Sequence, residues 1–248
     1  MPLLSVVTSI YNCEKYLKLS LDSLLNQSFQ DFEIIIINDG SDDNTLAIAQ
    51  DVLGSFRGDF NLISHQDRLG VFPRRSEAIR ASKGKYIAIH DGDDVSLPKR
   101  FEKQVKFLEN NQNIWCYGST ALKIDDENKD IGVMDYPPST FAEFLPMLIN
   151  KCMNPQIDSS SMFNRDIFLK LGGYSENKNI YLVADFDLWC KSVLNGFNIV
   201  NSKEPTIKYR TNSQGNTIKH KQEMIQQHML VWRNFIFQWK KNHLKSEN

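Results

Sequence analysis

Two acidic turns carry the chemistry that can be read from this chain. Asp39 stands in Asn38-Asp39-Gly40-Ser41, directly after the apolar run at 33–37, and Asp91, Asp93 and Asp94 stand in His90-Asp91-Gly92-Asp93-Asp94, directly after the run at 86–89. Carboxylates that follow parallel strands emerge on one edge of a sheet, the edge where open α/β sheets bind ligands. An acidic edge repels a bare phosphate unless a divalent cation lies between them, and carboxylate oxygens are the hard donors that Mg²⁺ or Mn²⁺ prefers. A metal-chelated nucleotide diphosphate is the simplest ligand that satisfies both conditions. The plain alternative is solvated turn chemistry, because Asp-Gly turns are common; Asp125, Asp126 and Glu127 have the same composition and are read as a turn only. The 91–95 stretch lacks EF-hand spacing. Neither G-x-G-x-x-G nor G-x-x-x-x-G-K-[ST] occurs, and no Ser/His/Asp constellation stands out.

The elements that must hold these turns follow from periodicity. Residues 3–8 read as a strand, with Asn12 as a helix cap and Leu17, Leu21, Leu24 and Leu25 on one helical stripe. The run at 33–37 is apolar throughout, as a parallel strand covered on both faces must be. Helical patterns at 45–53 and 74–82 alternate with strands at 61–64, 86–89 and 114–119. Ser96 is read as the N-cap of a helix ending near Asn110. This alternation predicts βαβ crossovers and a mostly parallel sheet flanked by helices. Beyond residue 119 the pattern loosens: helix is expected over 141–149 and 185–195, a short strand over 160–163, and an amphipathic C-terminal helix from Glu223 on.

Composition narrows the class. In 248 residues, 29 Lys+Arg balance 30 Asp+Glu, a net charge of −1, and 41% of residues are hydrophobic. That excludes a disordered chain and argues against nucleic acid as a partner. Cys13, Cys116, Cys152 and Cys190 are scattered, so neither a disulfide framework nor a zinc site is expected. No apolar run reaches the roughly 18–20 residues that cross a bilayer. A cytoplasmic location is expected. The C-terminal helix is open to three readings: packing on the core, pairing in a homodimer, or peripheral contact with the inner face of a membrane.

Taken in order, the landmarks resemble glycosyltransferase family 2, which has the GT-A fold. They are Leu4-Ser5-Val6-Val7-Thr8-Ser9-Ile10-Tyr11-Asn12, the 24–35 helix-to-strand connection, Asn38-Asp39-Gly40-Ser41, Asp91-Gly92-Asp93-Asp94, Gly172-Gly173-Tyr174, and Ala184-Asp185-Phe186-Asp187-Leu188-Trp189. The resemblance implies a nucleotide-binding half at about 1–119, an acceptor half at 120–222, and a helix at 223–248. It implies an inverting transfer of sugar from a nucleotide-diphosphate sugar, UDP-linked, to a hydroxyl of a carbohydrate or lipid-linked carbohydrate acceptor in surface polysaccharide synthesis. Ser9, Tyr11 and Asp39 would hold the base, Arg75 the nucleotide, and Asp91 the ribose or sugar phosphate. Asp93 would ligate Mn²⁺ or Mg²⁺, and Arg210 and Ser213 would close over the diphosphate. Asp185 would be the general base, favoured as an anion at a helix N-terminus by about 0.3–1 kcal/mol. The chain departs from the family pattern in the 67–78 stretch, which lacks the usual asparagine and alanine residues, and at Asn38 for an Asp, Ala184 for a Glu, and Asp158 where a His is frequent. The rival readings are a nucleotidyltransferase, which would carry a Gly-rich basic loop after the first strand, and a non-catalytic nucleotide-sugar-binding module.

Overall fold

The computed structural model describes residues 1–211 and 216–244; Ser213 and residues 245–248, on which expectations fell, lie outside them. The chain runs β1 (Leu4–Ile10), α1 (Glu14–Leu25), β2 (Phe32–Asp39), α2 (Thr45–Leu53), β3 (Phe60–His65), α3 (Val71–Ala81), β4 (Tyr86–Ile89) and β5 (Val95–Ser96). It continues through α4 (Arg100–Asn110), β6 (Ile114–Ile124), β7 (Asp130–Met134), α5 (Phe141–Lys151), a 3₁₀ turn (Asp158–Ser160) and β8 (Met162–Asn164). The last elements are α6 (Arg165–Lys170), α7 (Ala184–Leu194), β9 (Asn198–Arg210), α8 (Asn216–Lys219) and α9 (Lys221–Leu244).

One mixed sheet has the order β3-β2-β1-β4-β8-β6-β9-β5, with β7 paired to β6. The first four strands in this order are parallel, as the βαβ rhythm demands. Strand β8 runs antiparallel to both β4 and β6, and β6 runs parallel to β9. Successive side chains on a strand point to opposite faces, so the all-apolar β2 feeds two cores. Ile34 and Ile36 join Leu17, Leu21 and Leu24 of α1 and Phe101 of α4 on one face. Ile35 and Ile37 face Ile79 of α3 on the other, in a cluster that continues to Phe144, Phe186, Trp189 and Phe235. Strand β2 is therefore clamped between helix layers, which fixes where its C-terminal end emerges.

Two local expectations are corrected. The N-cap of α1 is Cys13, whereas Asn12 takes φ 44° and ties its amide to Asp42 at 2.6 and 3.1 Å. Ser96 belongs to β5, its hydroxyl lying 3.2 Å from His90 Nδ1, and α4 starts at Arg100. The C-terminal helix packs on the core: Val231 and Phe235 are buried, and Trp232 Nε1 donates to the Leu148 carbonyl of α5 at 2.9 Å. Among the described residues, no helix is long and apolar enough to cross a membrane.

Candidate functional site

Strands β1, β2 and β4 are in register, so their carboxyl ends form one rim. Ser9, Tyr11 and Asp39 all lie there. Asp39 is buried and faces inward: its two oxygens accept from the Leu69 and Gly70 amides at 2.7 and 2.8 Å and from Arg74 Nε at 2.7 Å. It thereby fastens the 66–70 loop to the rim. Gly40, at φ 74°, is what allows this, because a Cβ there would lie 2.6 Å from the Gln66 carbonyl oxygen. Tyr11 is exposed, and its ring carries the Arg68 guanidinium 4.1 Å from its centroid.

The second acidic turn leaves β4 and crosses to β5. The turn passes close to the end of β1 and the start of α1, where a Cβ on Gly92 would sit 3.0 Å from Ile10 and 3.1 Å from Cys13. Buried His90 lies 2.8 Å from Ser20 Oγ, and that hydroxyl donates to the Asp91 carbonyl at 3.0 Å. The turn thus has a fixed shape, and its three aspartates have three different surroundings.

Asp91 is ion-paired to Arg75, which is itself buried and reaches Asp158 with its other terminal nitrogen at 2.5 Å. Tyr174 donates its hydroxyl to both Asp158 oxygens at 3.1 Å. Burial, opposed by Arg75 but reinforced by Asp185 and Asp91, pushes the Asp158 carboxyl up to about 7. Asp94 is buried and engaged from within, accepting from Ser159 Oγ at 2.7 Å and the Arg210 amide at 2.9 Å; burial and the neighbouring Asp93 and Asp91 hold it well above the usual carboxylate range. Asp93 is half-buried, and its carboxylate receives no hydrogen bond from another described residue. Burial and then Asp91 raise it to about 6.

These surroundings decide what could hold a cation. Asp91 is committed to Arg75 and Asp94 to Ser159 and Arg210, which leaves Asp93. Among the described residues, no group of three or more ligating side chains occurs. A donor set of one underneutralised carboxylate fits Mg²⁺ or Mn²⁺ shared with ligand phosphates and water, and would not fit an all-protein cage.

Asp185 lies in the first turn of α7 and accepts from Asn154 Nδ2 at 2.7 Å. Burial raises its carboxyl, while His228, the Phe186 amide, Asn154 and Arg75 pull the other way. Asp91, Asp158 and Asp185 all act on the Arg75 guanidinium, so acids from three separate stretches of chain bear on one cation. Arg210 departs from expectation: it is the last residue of β9, buried, and pinned in place. Its Nε donates to the Asp93 carbonyl at 2.9 Å, its terminal nitrogens reach Asp125 and Asn128, and its guanidinium lies 4.3 Å from the Tyr16 ring centroid. The expected site residues missed Arg74, Tyr174 and Asn154. Arg74 sits beside Arg75 with no signal to separate their roles, and Asn154 belongs to a loop whose pattern is silent.

Comparison with known proteins places the site in a family context. The model of "Glycosyl transferase family 2" matches residues 5–172. EpsE of Bacillus subtilis, which carries a glycosyltransferase name, is 32% identical over 216 residues, covering 86% of this chain and 74% of that relative. The O-antigen biosynthesis glycosyltransferase WbnJ of Escherichia coli is 30% identical over 190 residues, 76% of this chain and 71% of WbnJ. Among solved structures, a Pyrobaculum calidifontis mannosyltransferase bound to GDP-Man and Mn²⁺ aligns with TM-score 0.71 at 16% identity, over 94% of this chain and 64% of that one. TarS of S. aureus bound to UDP-GlcNAc aligns with TM-score 0.69 at 16% identity, over 92% and 65%. Likeness at that identity is likeness of fold, and this chain spans less than two thirds of those structures.

Proposed function

The chain belongs to glycosyltransferase family 2, and from that premise we propose that it moves a sugar from a nucleotide-diphosphate sugar, UDP-linked, to an acceptor hydroxyl with inversion at the anomeric carbon. The observation that carries this reading is the convergence of Asp91, Asp93, Asp158 and Asp185 around buried Arg75 at the carboxyl ends of the strands. The base of the donor lies against Ser9 and Tyr11, over the loop that Asp39 fastens. Arg75 and Asp91 orient the ribose and sugar phosphate. Asp93 would hold a divalent cation, which when bound would supply positive charge against that of the diphosphate leaving group. Arg210, through its bonds to the Asp93 carbonyl and to Asp94, fixes the turn from which the Asp93 carboxylate would ligate the cation. Asp185 takes the proton of the attacking hydroxyl on the opposite face. Burial lifts its basicity, while Asn154 and the helix N-terminus keep it ionised.

The bound UDP-GlcNAc of TarS and the GDP-Man and Mn²⁺ of the Pyrobaculum enzyme support a nucleotide-sugar donor and a cation, and the name of WbnJ supports an acceptor in surface polysaccharide. The test is nucleoside diphosphate release from a panel of nucleotide sugars in Mn²⁺ with mixed acceptors. Asp93→Asn should lose metal-dependent turnover and weaken donor binding. Asp185→Asn should lose turnover by about 10²–10⁴-fold while keeping donor affinity. Turnover of Asp185→Asn at the parent rate refutes the base, and donor binding without product under every acceptor makes the chain a binding module.

A further inference from the structure

Helix α9 packs against α7, the helix whose first turn carries Asp185. The contact brings the His228 ring over Phe186, the residue after Asp185, with ring centroids 4.6 Å apart. Anchors on either side fix His228 in place. Gln227 Oε1 accepts from the Leu182 amide at 2.9 Å, just ahead of α7, and Trp232 Nε1 donates to the Leu148 carbonyl of α5 at 2.9 Å. His228 Nδ1 lies 3.1 Å from the Met224 carbonyl of its own helix. A carbonyl oxygen only accepts, so Nδ1 carries a hydrogen in either charge state and Nε2 is the nitrogen left for the site.

His228 also borders the same groove as Asn154, whose Nδ2 donates to Asp185 at 2.7 Å. The Gln156 amide donates to Asn154 Oδ1 at 3.2 Å, which settles which end of that side chain meets the carboxylate. Asp185 thus has a neutral donor from the loop after α5 and an imidazole from α9. A base on the acceptor side must be ionised before a hydroxyl arrives, and burial works against that. Burial raises the Asp185 carboxyl, and the charge of His228 is the largest influence opposing it. Arg75 acts in the same direction but is already shared between Asp91 and Asp158. We infer that His228 is a positioning residue for Asp185: the C-terminal helix supplies an imidazolium that, with the Asn154 amide, keeps the acceptor-side carboxylate ionised and in place. This inference deepens, and rests on, the reading of Asp185 as the base. The other titratable groups that exchange influence with Asp185 are Arg75, Tyr136, Asp158, Tyr174 and Cys190, while Lys151 and Cys152 border the groove beside His228.

His228→Phe separates this role from packing, because it keeps a ring on Phe186 and removes both nitrogens. Imidazole ¹H–¹⁵N correlation spectra of the full chain, without donor or metal, should show the hydrogen on Nδ1 and give the His228 titration midpoint. In Asp185→Asn that midpoint should fall by at least about half a pH unit, since the imidazolium loses a nearby carboxylate. In His228→Phe, at saturating donor and Mn²⁺, the acid limb of kcat for nucleoside diphosphate release should move up by a similar amount. Turnover on that limb then falls about 3-fold, while the donor KM stays at the parent value. A His228 midpoint that Asp185→Asn does not move overturns the inference. So does a pH profile that His228→Phe leaves as in the parent while Asp185→Asn is inactive. A midpoint that moves in a protein whose Asp185→Asn variant turns over at the parent rate leaves the pairing standing and refutes Asp185 as the base instead.

Discussion

Removing the cation at the centre of the acidic cluster should destabilise the protein more at high pH than at low pH. Arg75 is buried between Asp91 and Asp158, and Tyr174 donates to the latter. Arg75→Met keeps the apolar stem near Phe72 but leaves both acids without their counter-charge. Breaking a buried pair by removing one partner costs about 3–5 kcal/mol, which for a chain of this size lowers Tm by about 6–20 °C. The sign of the pH dependence follows from Asp158. Its carboxyl titrates at about 7 when folded and at 3.8 when free, so the folded state binds that proton more tightly, and the group lowers stability as pH rises through this window. At pH 5.5 Asp158 is already protonated, and the substitution removes chiefly the pairing with Asp91. At pH 8 the ionised Asp158 loses Arg75 as well and is driven to take up a proton, which adds about 1–2 kcal/mol, the equivalent of raising its pKa by about one to one and a half. Urea unfolding of parent and variant at both pH values, in EDTA, measures the difference. An equal loss at the two pH values, or a total loss below about 1 kcal/mol, would refute the idea that Arg75 neutralises Asp158.

Three further outcomes are expected. Cation affinity should weaken about 10-fold per pH unit below the Asp93 value of about 6, because the ligating carboxylate must be ionised; Mn²⁺ titration calorimetry with UDP present at pH 7.5 and 5 measures it, and pH-independent binding would exclude Asp93 as the ligand. Gly40→Ala should cost about 1–3 kcal/mol in chemical denaturation, since its Cβ meets the Gln66 carbonyl at 2.6 Å in a left-handed conformation. Trp232→Phe should cost about 1 kcal/mol through the lost bond to Leu148, and hydrogen exchange should rise along α9 before the β1, β2 and β4 strands respond.

How far the chain could be read depended on the range of the interactions involved. The all-apolar 33–37 run, the Leu17–Leu21–Leu24 stripe and the Asp-Gly turns are local signals, and they suffice for β1, α1, β2, α2, β3, α3 and β4 and for the rim on which Ser9, Tyr11, Asp39 and Asp91 lie. Strand β9 escaped notice because its polar Asn198, Ser202 and Glu204 hide a strand whose stability comes from pairing with β6, some eighty residues earlier in the chain. Arg210 looked like loop chemistry for the same reason.

The types and order of the acidic residues were enough to propose a cation and a phosphate-bearing ligand. Their division of labour was not. The three aspartates of one turn have almost the same sequence surroundings, yet only folding puts Arg75 against Asp91, Ser159 and the Arg210 amide against Asp94, and leaves the Asp93 carboxylate without a hydrogen bond from another described residue. A carboxyl's affinity for a proton or a metal depends on burial and on charges a few ångströms away. Those neighbours come from α3, the 158–160 turn and β9, at separations in the chain that no spacing rule spans, so the sheet had to close before one aspartate differed from the next.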